Sequence, residues 1–118
     1  MEHKNQMNEC TIKVVDWHAT PKFRFRKEYE FCGEAFRDDV LIPALKRCDH
    51  VHVDLTGYNR YGPSFIDEAF ANIIRNKVFS AEYLKKHMTY SHEHLKRVVE
   101  KIDEKIEKAR LEVEQGND

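Results

Sequence analysis

Cysteine, proline and glycine are all scarce in this chain of 118 residues, with three, three and four copies respectively. An odd number of cysteines at wide, irregular spacing (Cys10, Cys32 and Cys48) fits neither a disulfide framework nor a zinc ligand pattern. The expectation is therefore reduced thiols, with Cys32 and Cys48 as small core residues. The few prolines and glycines, beside 41% hydrophobic and 35% charged residues, exclude a low-complexity or disordered chain. No apolar run approaches the ~20 residues needed to span a bilayer. The polar opening MEHKNQMNEC lacks the apolar stretch of a secretory signal, so the expected location is cytoplasmic, with no membrane partner. Twenty basic against 21 acidic residues leave a net charge of -1, without the basic excess of a nucleic-acid-wrapping protein. Also missing are a glycine-rich phosphate loop, a nucleophile elbow and a zinc-hydrolase helix motif, so neither an enzyme nor a cofactor is expected.

What is present has the size of one domain with a single core. Residues 1–9 are polar and read as a loose N-terminal segment, followed by one domain over 10–118. Residues 11–16 read as a strand with Ile12 and Val14 inward. Residues 22–31 read as a second strand or extended segment, because Phe23 and Phe25 alternate with Arg24 and Arg26. Residues 33–47 carry a helical stripe through Ala35, Phe36, Val40, Leu41, Ala44 and Leu45, in which Pro43 predicts a kink or early break. A short helix follows Ser80 as its cap, residues 86–90 form a brief strand, and a long helix runs over 92–115.

The densest information lies in VHVDLTGYNRYGPSFIDEAF, from Val51 to Phe70. Val51, Val53 and Leu55 alternate with His52 and Asp54 as a half-buried strand does, and Gly57 with Asn59 signals a turn. Phe65, Ile66, Ala69, Phe70, Ile73 and Ile74 then carry helical spacing, which makes Ser64 the expected N-cap. A serine cap accepts a first-turn N–H and contributes about 1 kcal/mol. The same position beside orphan N–H groups is open to phosphate, which makes Ser64 a candidate phosphoacceptor. Asp67 and Glu68, placed in the first turn, would repel that phosphate, so its effect would be release of a partner.

The element order and the string from Val53-Asp54-Leu55 through Gly62-Pro63-Ser64-Phe65-Ile66-Asp67-Glu68, with Gly33-Glu34-Ala35-Phe36-Arg37 upstream, resemble the STAS-like family of bacterial and phage proteins, itself of unknown function. That family is similar in turn to the STAS domain of anti-sigma factor antagonists and sulphate-transporter tails. The resemblance spans roughly residues 10–110. It implies an α/β fold: a mixed sheet of about four strands, the first two an antiparallel hairpin, with helices mainly on one side. It also implies that Ser64 falls where antagonists carry a serine or threonine phosphorylated by a partner ATPase kinase.

Other residues carry weaker signals. Leu95, Val98, Val99, Ile102, Ile106, Ala109 and Val113 stripe the last helix, either against the domain's own sheet or, through Leu95, Val99, Ile102 and Ile106, against a second copy. Arg24, Arg26 and Arg37 are candidates for converging on an anion. The Phe23-Arg24-Phe25-Arg26 interleaving suits single-stranded nucleic acid only if rings and cations share a face, which a strand forbids. His50 and His52 share a strand face, and His87, His92 and His94 cluster along the chain, but neither set has a zinc spacing. Asp54 and Glu68 could pair as acid and base, though such acids more often cap or pair with cations.

The reading that emerges is a non-catalytic interaction domain. It docks on a protein partner, with an ATPase kinase or regulatory factor as the class implied, through Asp54, Tyr61, Gly62, Pro63, Ser64, Phe65, Asp67 and Glu68. Tyr61 and Phe65 would serve as aromatic anchors. The alternatives are a module that self-associates through its last helix, or a phage protein that blocks a host factor.

Overall fold

Among the described residues, three strands form one sheet in the order β1-β2-β3, all parallel: β1 Glu9–Lys13, β2 His50–Asp54 and β3 Met88–Ser91. The computed structural model describes residues 8–116. Among the described residues, five helical segments accompany the sheet: α1 Val14–Trp17, α2 over residues 33–47, α3 over 63–75, α4 Ala81–His87 and α5 Lys96–Gly116. The fold is thus α/β with a long C-terminal helix, but the sheet has three parallel strands and not a mixed set of four.

The missing strand is residues 22–31. The Glu28 carboxylate accepts from the backbone N–H of both Arg24 and Phe25, at 3.3 and 3.0 Å, which closes the segment into a turn. Arg24 also reaches across to the acids of α3. A single bridge, Phe23 to Cys32, is what remains of the alternating pattern. With no hairpin partner, β1 pairs directly with β2, Thr11 opposite His52.

Val51 and Val53 of β2 are fully buried, and the core-facing positions of the neighbouring strands, Ile12, Met88 and Tyr90, pack beside them. Glu9, Thr11, Lys13, His50, His52 and Thr89 line the opposite, uncovered face. The helices therefore cover one side, with Phe36, Leu41, Leu45, Phe65, Phe70 and Ile102 filling the space between helices and sheet. On the open face, His50 Nε2 and His52 Nδ1 meet the Thr89 hydroxyl at 3.0 and 2.7 Å, and His52 Nε2 lies 2.8 Å from the Ser91 hydroxyl.

Helix α2 continues through Pro43 without a break. A π-helical stretch, Phe36–Leu41, precedes the proline, and the Ile42 N–H already bonds to the Arg37 carbonyl. The widened turn shifts the hydrogen-bond register just where a proline N–H would be missed. α3 carries a matching π-helical stretch, Asp67–Ala71. The two helices meet closely at Gly33, where a Cβ would lie 3.0 Å from both the Glu68 Cβ and the Phe65 carbonyl oxygen.

The N-terminal segment expected to be loose falls mostly outside the described residues, at 1–7. Asn8 is fixed by mutual backbone and side-chain bonds with Asp49, and β1 begins at Glu9. The cysteines correct the expectation of reduced thiols: Cys10 and Cys48 form a disulfide that ties β1 to the end of α2, while Cys32 is buried and free. The cysteine argument for a reducing compartment therefore falls away. Among the described residues no helix is long and apolar enough to cross a membrane.

The 21 residues of α5 extend about 32 Å. Ile102 is fully buried, Leu95 and Ile106 pack against the core and Val99 is half-buried, so the stripe covers the domain's own helices and sheet. Arg75 to Glu112 at 2.7 Å and the Tyr90 hydroxyl to Asp103 fasten the helix to α3 and β3.

Candidate functional site

The loop over residues 55–62 leaves the carboxyl end of β2, the central strand, where open α/β sheets place ligand contacts. Its first half is anchored from beneath. The Leu55 N–H donates to the Ser91 carbonyl at 2.8 Å. The Thr56 N–H donates to Asp54 Oδ1 at 3.0 Å, and that bond holds the Asp54 carboxyl below the ordinary aspartate range. Gly57 has φ +107°, and a side chain there would also press on the Val15 methyls at 3.2 and 3.3 Å. Asp54 thus shapes the turn.

His92, which is buried, supplies the second anchor. Its Nδ1 accepts from the N–H groups of His94 and Leu95, at 3.1 and 3.0 Å, which organises the turn into α5. Nδ1 therefore carries a lone pair, and Nε2–H donates to the Tyr58 carbonyl at 3.0 Å. The Glu93 N–H bonds to the Thr56 hydroxyl at 2.9 Å. His92 was seen in the sequence only as one of three neighbouring histidines. The three do not converge, since His87 is bonded to the Asp49 carbonyl instead. Among the described residues, no group of three or more His, Cys, Asp or Glu side chains is arranged to hold a metal.

Above these anchors the loop presents a polar surface. Asn59, Arg60, Pro63 and Ser64 are exposed, and Gly62 is half-buried. Ser64 is not the cap: α3 starts at Pro63, the capping position is Gly62, and no side chain closes the first turn. Proline is preorganised for the first helical position, so Gly62-Pro63 displaces the start by two residues. The Ser64 hydroxyl, relieved of capping, faces outward.

The expected aromatic anchors lie elsewhere. Phe65 is fully buried and packs on Phe36, ring centroids 6.1 Å apart. Tyr61 is half-buried, edge-to-face with Tyr58 at 5.1 Å, and its buried hydroxyl has no hydrogen-bond partner in the described structure. Burial pushes the Tyr61 pKa well up.

Asp67 and Glu68 also turn inward, into a network of three arginines from three parts of the chain. Arg37 meets Glu68 at 2.5 Å, both side chains under a tenth exposed. Arg24 bridges Asp67 at 2.5 Å and Glu68 at 3.1 Å, and Arg75 holds Asp67 at 2.8 Å. Burial opposes ionisation of Asp67, but the hydrogen bond and charge of Arg75, with the charge of Arg24, outweigh it and hold the carboxyl low. The three arginines proposed for an anion are therefore taken by carboxylates: Arg24 and Arg37 by this network, Arg26 by Asp39 at 3.1 Å. Asp54 and Glu68 answer to different partners, Thr56 and the arginines, and form no acid–base pair.

A family model described as a STAS-like domain of unknown function matches residues 32–95, from the start of α2 to the turn before α5. The match takes in the whole loop, Ser64, His92 and the buried acids. No curated protein and no solved structure matches the chain.

Proposed function

The chain belongs to the STAS-like domain family of unknown function, and on that premise we propose that it is a docking domain that engages a protein partner through the loop over residues 56–62 and the first turn of α3. The observation that carries this reading is an exposed Ser64 in an uncapped helix turn, next to exposed Asn59 and Arg60, on a loop whose base is fixed by Asp54, Gly57 and His92. A loop already held in shape loses little further freedom on binding, so a small polar surface can still give useful affinity. The contacting groups are Asn59, Arg60, Gly62, Pro63 and Ser64, while Tyr61, Phe65, Asp67 and Glu68 support them from inside.

Phosphorylation of Ser64 would switch this surface. Asp67 and Glu68 are already neutralised by arginines, so the added charge would act mainly on Arg60 and on the partner's facing groups. The likeness to anti-sigma factor antagonists makes an ATPase kinase the first partner class to test.

The test places a photoreactive phenylalanine analogue at Asn59, or at exposed Lys46 on the far end of α2 as control, in the full chain expressed in its native cell. The expected result is one cross-linked protein from position 59 and not from 46, lost with Ser64→Asp. That variant places an acid in a helix's first turn and should leave the melting temperature unchanged. Equal cross-linking from both positions, or a cross-link indifferent to Ser64→Asp, would remove the docking reading or its switch, respectively.

A further inference from the structure

An open groove of about 860 Å³ lies on the far side of the sheet from β1. Its walls are α4 with the preceding residues 77–80, the edge strand β3, and the outer half of α5. Phe79, Leu84, Met88, Ile106 and Val113 make its floor apolar. Met88, Thr89 and Tyr90 all line it although successive strand side chains point to opposite faces, so the groove runs along the strand's edge.

The direction of the backbone groups on that edge identifies what would fit. The Leu55 N–H donates to the Ser91 carbonyl, with Asp54 in register with Ser91, so the peptide groups of Ser91 point toward β2. Alternate residues of a strand point their N–H and C=O the opposite way. Tyr90 therefore presents both its N–H and its C=O to the groove, and neither is bonded to another element of the described structure. An unpaired edge of this kind is a template for one more strand. The two walls differ in charge: on α5 Asp103, Glu107 and Glu114 outnumber Arg110, which bonds to the latter two, while Lys77 and Lys85 outnumber Glu82 on the facing wall.

We propose that this groove is a second binding site, independent of the Ser64 surface, for an extended peptide segment of a partner protein that adds to the sheet as a fourth strand. Its backbone pairs with Tyr90. One apolar side chain enters among Phe79, Leu84, Met88 and Ile106, and a lysine or arginine faces the acids of α5. β3 has four residues, so the paired stretch is short and the complex is of the transient kind.

The test presents the full chain to a phage-displayed library of random peptides about twelve residues long, then measures the selected sequences as fluorescent synthetic peptides. The expected outcome is a selected pattern of alternating apolar and polar residues with a lysine or arginine. Its binding should weaken about tenfold or more in Ala81→Phe, which fills the groove, and in Glu107→Lys, which reverses a charge on its wall. Glu107 is exposed, so that variant keeps the fold should Ala81→Phe lose it. In the complex, hydrogen exchange of the Tyr90 amide should slow. Peptides indifferent to Glu107→Lys, an unchanged Tyr90 amide, or a wild-type dimer dissolved by Glu107→Lys would each overturn the proposal, the last by assigning the groove to a second copy.

Discussion

Replacing His92 with alanine should loosen the loop that leads into Ser64 more than it harms the domain. The side chain makes three hydrogen bonds: two accepted by Nδ1 from His94 and Leu95, and one donated by Nε2 to the Tyr58 carbonyl. At about 1 kcal/mol each these sum to roughly 3 kcal/mol. His94 is exposed and its amide regains water, which brings the expected loss to about 2 kcal/mol. His92→Asn separates the parts. Asparagine can still accept the following N–H groups and rebuild the turn, but is too short to reach Tyr58, so it should recover roughly 1 kcal/mol. Urea unfolding gives the stability, and amide hydrogen exchange over residues 56–61 gives the local effect. Alanine and asparagine should speed exchange of the loop equally while differing in stability. If His92→Ala left both stability and loop exchange unchanged, the histidine would not be the anchor described, and the preorganised surface would lose its basis.

Gly33→Ala should destabilise the domain by about 1–3 kcal/mol in thermal unfolding, because its Cβ would lie 3.0 Å from the Glu68 Cβ and the Phe65 carbonyl oxygen where α2 and α3 cross. Stability should hold as pH falls to about 5 and then drop below the ordinary aspartate pKa of ~3.9. Asp54 and Asp67 have lowered pKa values when folded, so the stability they contribute is complete above the unfolded value and lost as pH falls through the folded ones. Asp67→Asn should flatten that acid limb in a pH series of urea melts. Peptide mapping without reductant should recover Cys10 linked to Cys48, and reduction should lower stability by up to about 4 kcal/mol, the loop-closure value for a separation of 38 residues.

The helices were legible because each buries one continuous stripe. The apolar positions from Ala35 to Leu45, with Val40 only half-buried, and from Phe65 to Ile74 fall on the residues that the structure buries, and Ser80 caps α4 by accepting from the Tyr83 N–H as its position implies. The strand of Val51 and Val53 was equally clear, since one face meets the core and the other does not. Residues 22–31 follow a different rule. Alternating phenylalanine and arginine satisfies the strand period, yet a strand also needs a neighbour. The bonds that fix this segment run from Arg24 to Asp67 and Glu68, more than forty positions along the chain. A disulfide across 38 residues is invisible for the same reason. The direction of the sheet followed from losing that second strand, because without a hairpin each return to the sheet comes through a helical crossover, which delivers parallel strands.

At the site, one misplacement had a signal that local rules could have supplied, and the other did not. Gly62-Pro63 marks a helix beginning at the proline, and weighing it would have moved the cap from Ser64 to Gly62. The inward turn of Asp67 and Glu68 could not be read locally. Acids in a first turn ordinarily stay in water near the positive helix end, and only the arrival of Arg24, Arg37 and Arg75 makes their burial affordable in solvation energy. That difference alters the chemistry expected at Ser64. With two free carboxylates in the same turn, a phosphate would be repelled by its own helix. With both neutralised beneath the surface, it would sit on an uncapped first turn near an exposed Arg60, and the group it disturbs is whatever the partner places opposite.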